Sequence, residues 1–395
     1  MNRIITRRQV LKYFGIGASL ISWPLNIKAE TKHYLIVGAG IIGTSIAYTL
    51  TQAGQKVTLI DKDFPGAHAS GKTFAWINAS YPKQPFNYHL LSRLGVNVYR
   101  RWDANLGLGI NWKGSLEWFK DNNENQNMIN KVKVIQGFGS MAEIISKEKA
   151  LGYEPNVKLN QKSITSSPRD GEINSVRALK KMIEIIKSKE GKVIFPAKFL
   201  GLSVNREEVI AKTSYGEIRA DKVVYACGTN SNQVANGSYL KPPTPGLIVT
   251  TKPFQQTIKK ILICPGIHTY QRKDGVVILG EQGEPPSNHD QRLSLRPENF
   301  LDKQLSIQHG QRIINIAAKF IPQFQDLIIE KVDIGWRPLP LDGKPIIGFL
   351  NDNEYIATMH SGITLGPIVA ELVRDELIFG LRSNLLKNFR PQRFH

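Results

Sequence analysis

At 395 residues, with 41% hydrophobic and 22% charged side chains, the chain has the make-up of a folded globular protein of two domains, or of one large α/β domain, and not of a disordered segment. Its net charge of +19 could draw nucleic acid, anionic lipid or acidic partners, yet the basic residues are scattered and carry no zinc-finger spacing or aromatic–basic RNA motif, so no nucleic-acid partner is expected. The two cysteines, Cys227 and Cys264, exclude a disulfide framework and a cysteine metal centre; both thiols are expected to be free, and no metal is expected.

Residues 1–29 hold Arg3, Arg7, Arg8, Lys12 and Lys28 and no acid, followed by an apolar stretch from Tyr13 to Ile27 and a small residue, Ala29, suited to cleavage. That is the three-part pattern of an export signal. Thr6-Arg7-Arg8-Gln9-Val10-Leu11-Lys12 resembles the twin-arginine signal of bacteria. The expectation is a leader at 1–29, use of the twin-arginine machinery, and a periplasmic protein that is membrane-associated if the leader is retained. No apolar run reaches the roughly 20 residues needed to span a bilayer.

The next elements read strand, tight turn, helix, strand. His33–Val37 is a short apolar strand, and Gly38-Ala39-Gly40-Ile41-Ile42-Gly43 follows as G-x-G-x-x-G. Ile42, Ile46 and Leu50 recur at helical spacing until Gly54. Lys56–Asp61 is a second strand ending on an acid, with Lys62 after it. Gly38 allows the turn, Gly40 lets a pyrophosphate approach the backbone of Ile41 and Ile42, and Gly43 lets helix and strand pack closely. The pyrophosphate would sit at the helix N-terminus, where free N–H groups favour an anion. Asp61 can accept from both hydroxyls of an adenosine ribose and would repel a 2′-phosphate, which disfavours NADP. The whole unit indicates dinucleotide binding and by itself does not choose FAD over NAD.

Further along, Ala69-Ser70-Gly71-Lys72-Thr73 is a small-residue loop, and Asp121–Asn127 reads as a polar surface loop. Asn174–Gly191 is an amphipathic helix followed by the strand "KVIF", and Val223–Ala226 is a strand that ends in Ala226-Cys227-Gly228. "GLIVTTKPF" and "HTYQRKDGVVILGE" supply strands, and Asn299–Phe320 a helix. Gly335-Trp336-Arg337-Pro338 runs on through Leu341–Gly348. Finally, Gly362-Ile363-Thr364-Leu365-Gly366-Pro367 opens a helix for which Pro367 suits the first position.

Taken in order, the glycine motif and four of these later stretches (69–73, 220–231, 335–348 and 360–377) resemble the FAD-dependent D-amino acid oxidase family, which includes glycine oxidase and sarcosine oxidase. The resemblance extends over most of residues 33–380 and implies an α/β fold with FAD as cofactor. It implies a discontinuous Rossmann-like FAD domain (30–85, 165–240, 335–385), an α+β substrate domain (86–164, 241–334) and a C-terminal tail (386–395). Ser70, Gly71, Lys72, Thr73, Ala226, Gly228, Gly362, Ile363 and Thr364 would join Gly38–Gly43, Asp61 and Lys62 around FAD. The last helix would direct its N-terminus at the electron-rich edge of the reduced flavin.

Oxidation of an amine carbon by hydride transfer to flavin asks the protein to orient substrate and stabilise charge. An amino acid needs a carboxylate clamp, for which arginine's planar fork is suited. By the resemblance, Arg337 fills that role and borders the flavin, while Tyr270 and Arg272 line the pocket and His360 lies near the ring. Some relatives attach flavin through a histidine in an H-A-x-G segment, and His68-Ala69-Ser70-Gly71 has that spacing. The implied activity is oxidation of the C–N bond of a D-amino acid, glycine or an N-methylated amine, with dioxygen as acceptor. The alternatives are a quinone- or carrier-linked dehydrogenase and a flavin-binding protein without oxidase activity.

Overall fold

In the computed structural model, strands β1 (His33–Val37), β2 (Lys56–Ile60), β8 (Lys192–Ile194), β12 (Lys222–Tyr225) and β19 (Glu354–Thr358) run parallel, and β18 (Ile346–Phe349) adds an antiparallel edge. Their order is β18–β19–β12–β1–β2–β8. The structure describes residues 30–205, 208–282 and 303–394, so the leader expected at 1–29 lies outside the described residues. The sheet is covered on both sides, which is why its strands read as continuous apolar runs. Alternation divides β1: Tyr34 and Ile36 pack beneath helices α1 (Ile41–Gln52), α5 (Ser175–Ser188) and α8 (Gly362–Phe379). Leu35 and Val37 face the other way, onto a three-stranded meander of β9 (Phe199–Asn205), β10 (Glu208–Thr213) and β11 (Gly216–Ala220).

A second, eight-stranded sheet has the order β17–β13–β16–β15–β14–β4–β6–β5. It comprises β4 (Ser115–Glu117), β5 (Glu143–Ser146), β6 (Ser163–Ser167), β13 (Thr244–Pro253), β14 (Ile261–Cys264), β15 (Ile267–Gln271), β16 (Val276–Glu281) and β17 (Ile329–Arg337). One face, with Leu247, Val249, Leu262 and Leu279, packs on α7 (Lys303–Ala318) and on Ala150 of α4 (Lys147–Tyr153). The other face presents Ile248, Ile263, Tyr270 and Ile278 to Phe74 of the cofactor half. A two-residue ladder, β3 (Trp76–Ile77) with β7 (Gly171–Glu172), lies between the halves, and a single turn, α6 (Ser231–Val234), follows β12.

The α/β class expected from the sequence holds, and four local expectations change. Helix α2 (Phe86–Leu106) packs its Leu91, Val96, Tyr99 and Trp102 into the core beneath the cofactor sheet, so 86–106 belongs with that half. The segment expected as a C-terminal tail packs on the cofactor half over 386–394: Leu386 and Phe389 are fully buried in the same core, and Arg390 pairs with Glu376 at 2.7 Å. The polar 121–127 stretch opens helix α3 (Asn122–Gly137), because the Asp121 carboxylate accepts from the N–H groups of Asn123 and Glu124 while Met128, Val132 and Ile135 anchor the helix. Pro367 lies inside α8 instead of at its first position, since that helix already starts at Gly362. Cys227 and Cys264 are free thiols. Among the described residues no helix is long and apolar enough to cross a membrane.

Candidate active site

Where β1 ends, the backbone of Gly38 turns with φ +108°, a region open to glycine, and an added Cβ would overlap the Ala226 carbonyl of the neighbouring strand. The chain then enters α1, whose first turn carries no acid and whose Ile41 N–H donates to Ser70 Oγ at 2.9 Å. Asp61 caps β2 from the side: its carboxylate accepts from the Ala39 N–H at 2.7 Å and from the Asp63 N–H at 2.9 Å. The glycine turn and the acid are therefore one hydrogen-bonded unit at the end of the parallel sheet, where open α/β sheets bind ligands.

From this end a cavity of about 1440 Å³ runs toward the second sheet. It exceeds the ~300–1,000 Å³ of an ordinary small-molecule pocket, leaving room for a dinucleotide and a small substrate together. Gly38, Gly40, Ile41, Ile42, Asp61 and Lys62 line its first part, with Ser70, Lys72, Thr73, Ala226 and Gly228 beside them. Gly43 and Gly71 lie just behind this wall, where added Cβ atoms would overlap the carbonyl oxygens of Gly38 and Gly66. His68 also faces the cavity, with Nε2 2.7 Å from Asp63 Oδ2; Asp61, Asp63 and His68 offer ligand atoms within 4.8 Å of one another.

At the far end stand Arg337, His360, Gly362, Ile363 and Thr364. Gly335 brings Arg337 there, because β17 passes so close to the Lys72 carbonyl that a side chain at 335 would overlap it. The guanidinium lies over Gly246 of the paired strand β13. Ser361 makes no side-chain cap on α8, so the first-turn N–H groups open toward the cavity. His360 projects into the cavity, and enclosure by its walls, then the charges of Arg337 and Lys83, push its pKa down to about 4. Burial, reinforced by Arg337, pushes His268 down to about 3. Both imidazoles are neutral at physiological pH and stand beside cations.

Tyr270 and Arg272 do not line the cavity. Tyr270 is 3% exposed and lies under Phe74, ring centroids 4.9 Å apart, while Arg272 pairs with Asp274 at the turn after β15. The strand does reach the cavity, two residues earlier: His268 lies on the same face as Tyr270 and lines the wall. Trp336 of the 335–348 stretch also lines it, as do Trp76, Tyr81 and Lys83, which no sequence motif marked.

Behind Trp76 and Tyr81 lie two buried carboxylates. Asp170 accepts from Trp76 Nε1 at 3.0 Å and from the Ser80 and Ser115 hydroxyls at 2.7 Å each; Glu117 accepts from the Tyr81 hydroxyl at 2.8 Å. Burial pushes both up to about 7, and the charge of Asp170 adds to the rise at Glu117. In the unfolded chain they ionise near pH 4, so between about pH 4 and 7 the folded state holds more protons and stability falls as pH rises. Asp170→Asn should flatten the decline of Tm between about pH 4.5 and 7.5. Thermal scans at constant ionic strength check this, and an unaltered slope would remove Asp170 from the account.

Fold and cavity together define a dinucleotide-binding α/β protein whose cavity reaches a second sheet. The family model described as "FAD dependent oxidoreductase" matches residues 33–376. The chain belongs to that family, and FAD is its cofactor. It is 25% identical over 384 residues to the bifunctional protein ThiO/ThiG of Trichormus variabilis, covering 92% of this chain and 55% of that one, so it spans about half the length of the curated relatives it matches first. Solved structures similar in fold include L-proline dehydrogenase from P. horikoshii (TM-score 0.80, 21% identity, 93% of this chain and 98% of that one). Glycine oxidase from Bacillus cereus is another (TM-score 0.78, 20% identity, 91% and 98%). The residues present fit FAD. The N-terminus of α1, with Ser70 beside it, and Gly40 suit its pyrophosphate, Asp61 its ribose, and the α8 N-terminus the electron-rich side of its ring.

Proposed function

We propose that the protein oxidises the C–N bond of a D-amino acid, glycine or an N-methylated amine. The observation that carries this is Arg337, a planar cation held over Gly246 in the same cavity as the α8 N-terminus and two neutral histidines. A guanidinium fork binds a carboxylate with direction as well as charge. Lone pairs on neutral His268 and His360 can accept from the substrate's amine N–H, which a protonated ring could not do. FAD, when bound, supplies the two-electron acceptor. The chain's own share is to fix the carboxylate, receive the amine's hydrogen bonds and enclose the reacting carbon away from bulk water. The names glycine oxidase and L-proline dehydrogenase support the reading, since both relatives are named for amino acids.

Anaerobic mixing of the FAD-loaded protein with a panel of amino acids and N-methylated amines is expected to bleach the flavin with at least one of them. Persistent yellow colour with all would sink the proposal and favour a flavin-binding protein without this activity. Turnover with dioxygen against a quinone then separates oxidase from dehydrogenase. The twin-arginine-like leader adds a proposed periplasmic location, which cell fractionation reads.

A further inference from the structure

Lys83 precedes α2 and faces the cavity near its His360 end. Its ammonium donates to Ser361 Oγ at 3.1 Å and stands 4.7 Å from the centroid of the Tyr88 ring. Neither partner is a counter-ion, and among the described residues no carboxylate pairs with it. Enclosure by protein pulls its pKa down to about 8, with no opposing attraction from an acid. Each carboxylate that lines the cavity is already engaged. Glu281 is held by both guanidinium nitrogens of Arg312 at 2.7 and 2.8 Å, and Glu354 accepts from the Tyr225 hydroxyl and the Asn351 amide at 2.7 Å each. Asp61 and Asp63 stand at the ribose end with Ala39 and His68. An enclosed cation without an anion is costly, whereas a lysine stem alone would pack equally well with an uncharged end. Lys83 and Arg337 come from different segments, yet both charges act on the same imidazole, His360.

We propose that Lys83 is a second anion-recognition group of the substrate site, and that the cavity takes an amino acid carrying two carboxylates, one met by Arg337 and the other by Lys83. This rests on the reading of the cavity as an amino-acid oxidation site and narrows it to dicarboxylic amino acids, with a primary or a secondary amine. The Ser361 hydroxyl orients the ammonium, and Tyr88 supports it from one side. With the histidines neutral, Lys83 and Arg337 are the two cations whose charges meet at His360, and a diacid would reach both there.

The test compares the FAD-loaded wild-type protein with Lys83→Met, which keeps the stem and drops the charge, and with Lys83→Arg. Binding of acetate, malonate and glutarate is read from quenching of tryptophan fluorescence, since Trp76 and Trp336 line the cavity. The wild type is expected to bind one of the two diacids about 10- to 100-fold more tightly than acetate, the scale of one charge-assisted hydrogen bond. Lys83→Met should abolish that preference, acetate affinity falling much less than diacid affinity, and Lys83→Arg should restore part of it. The ratio of kcat/KM for dicarboxylic over monocarboxylic amino acids should fall in parallel. Equal binding of acetate and both diacids by the wild type would overturn the proposal. So would a Lys83→Met protein that keeps the preference, or one that alters only the flavin spectrum, which would assign the lysine to the cofactor. If monocarboxylic amino acids bleach the flavin without discrimination by Lys83, this proposal alone fails; if no amino acid of either kind bleaches it, the underlying reading fails.

Discussion

Arg337→Ala should lower kcat/KM on an amino-acid substrate by about 30- to 5,000-fold, with flavin content and Tm close to those of the parent protein. The magnitude follows from removing one partner of an enclosed, hydrogen-bonded charge pair, which costs about 2–5 kcal/mol, at about 1.4 kcal/mol per factor of ten. Arg337→Lys should fall between the two, because a point charge retains attraction but loses the paired N–H geometry. A second readout separates a clamp from a structural cation. The positive charge of Arg337 helps to hold His268 and His360 in the neutral form, so its removal should move both pKa values upward. The acid limb of the activity profile should move upward with them. A variant with unchanged turnover would refute the clamp, and one that loses flavin and Tm together would assign Arg337 to holding the two halves in place.

The cofactor half was legible because its signals are local. The turn, the helix start and the acid of the nucleotide unit fall within about thirty residues, and the hydrogen bond from the Ala39 N–H to Asp61 closes the unit on itself. The substrate half was legible only as a set of strands. The resemblance placed Tyr270 and Arg272 at the pocket, but only tertiary packing decides that Phe74 covers Tyr270 and that His268, two residues earlier, reaches the cavity. Lys83 sits in a loop without a pattern, and its interest arises from carboxylates elsewhere that are already bound. Long-range packing likewise decides that α2 joins the cofactor core: at Gly95 that helix passes so close to the Thr364 carbonyl of α8 that a side chain would overlap it. The Asp121 cap was a readable signal, present in the sequence as an acid followed by a regular apolar series, and composition alone had hidden it.

Gly43→Ala should abolish flavin retention and cost about 3 kcal/mol or more of stability, the upper end for overpacking. A Cβ at this position overlaps the Gly38 carbonyl oxygen and meets Ala226 Cβ at 3.1 Å. The first of these is backbone, so no rotamer change relieves it. Gly38 is itself pinned, since its N–H donates to the Ile60 carbonyl at 2.8 Å and the Ala226 carbonyl leaves no room for even a Cβ at this position. To admit one methyl group, α1 must therefore move away from β1 and β12, taking with it the N–H groups that would hold the pyrophosphate. Because FAD binds the folded form, loss of its site also removes the stabilisation that excess cofactor provides, and added FAD should not restore Tm. Gly137→Ala is the matched control, at a helical glycine where an added Cβ meets nothing within 4 Å. There the same substitution should leave flavin content unchanged and raise stability by up to about 1 kcal/mol through helix propensity. Opposite signs for one chemical change would locate the cost of Gly43→Ala in the crossing of α1 over the strand ends. Normal flavin content in Gly43→Ala would show instead that the crossing can open, and the steric account of the third motif glycine would fall.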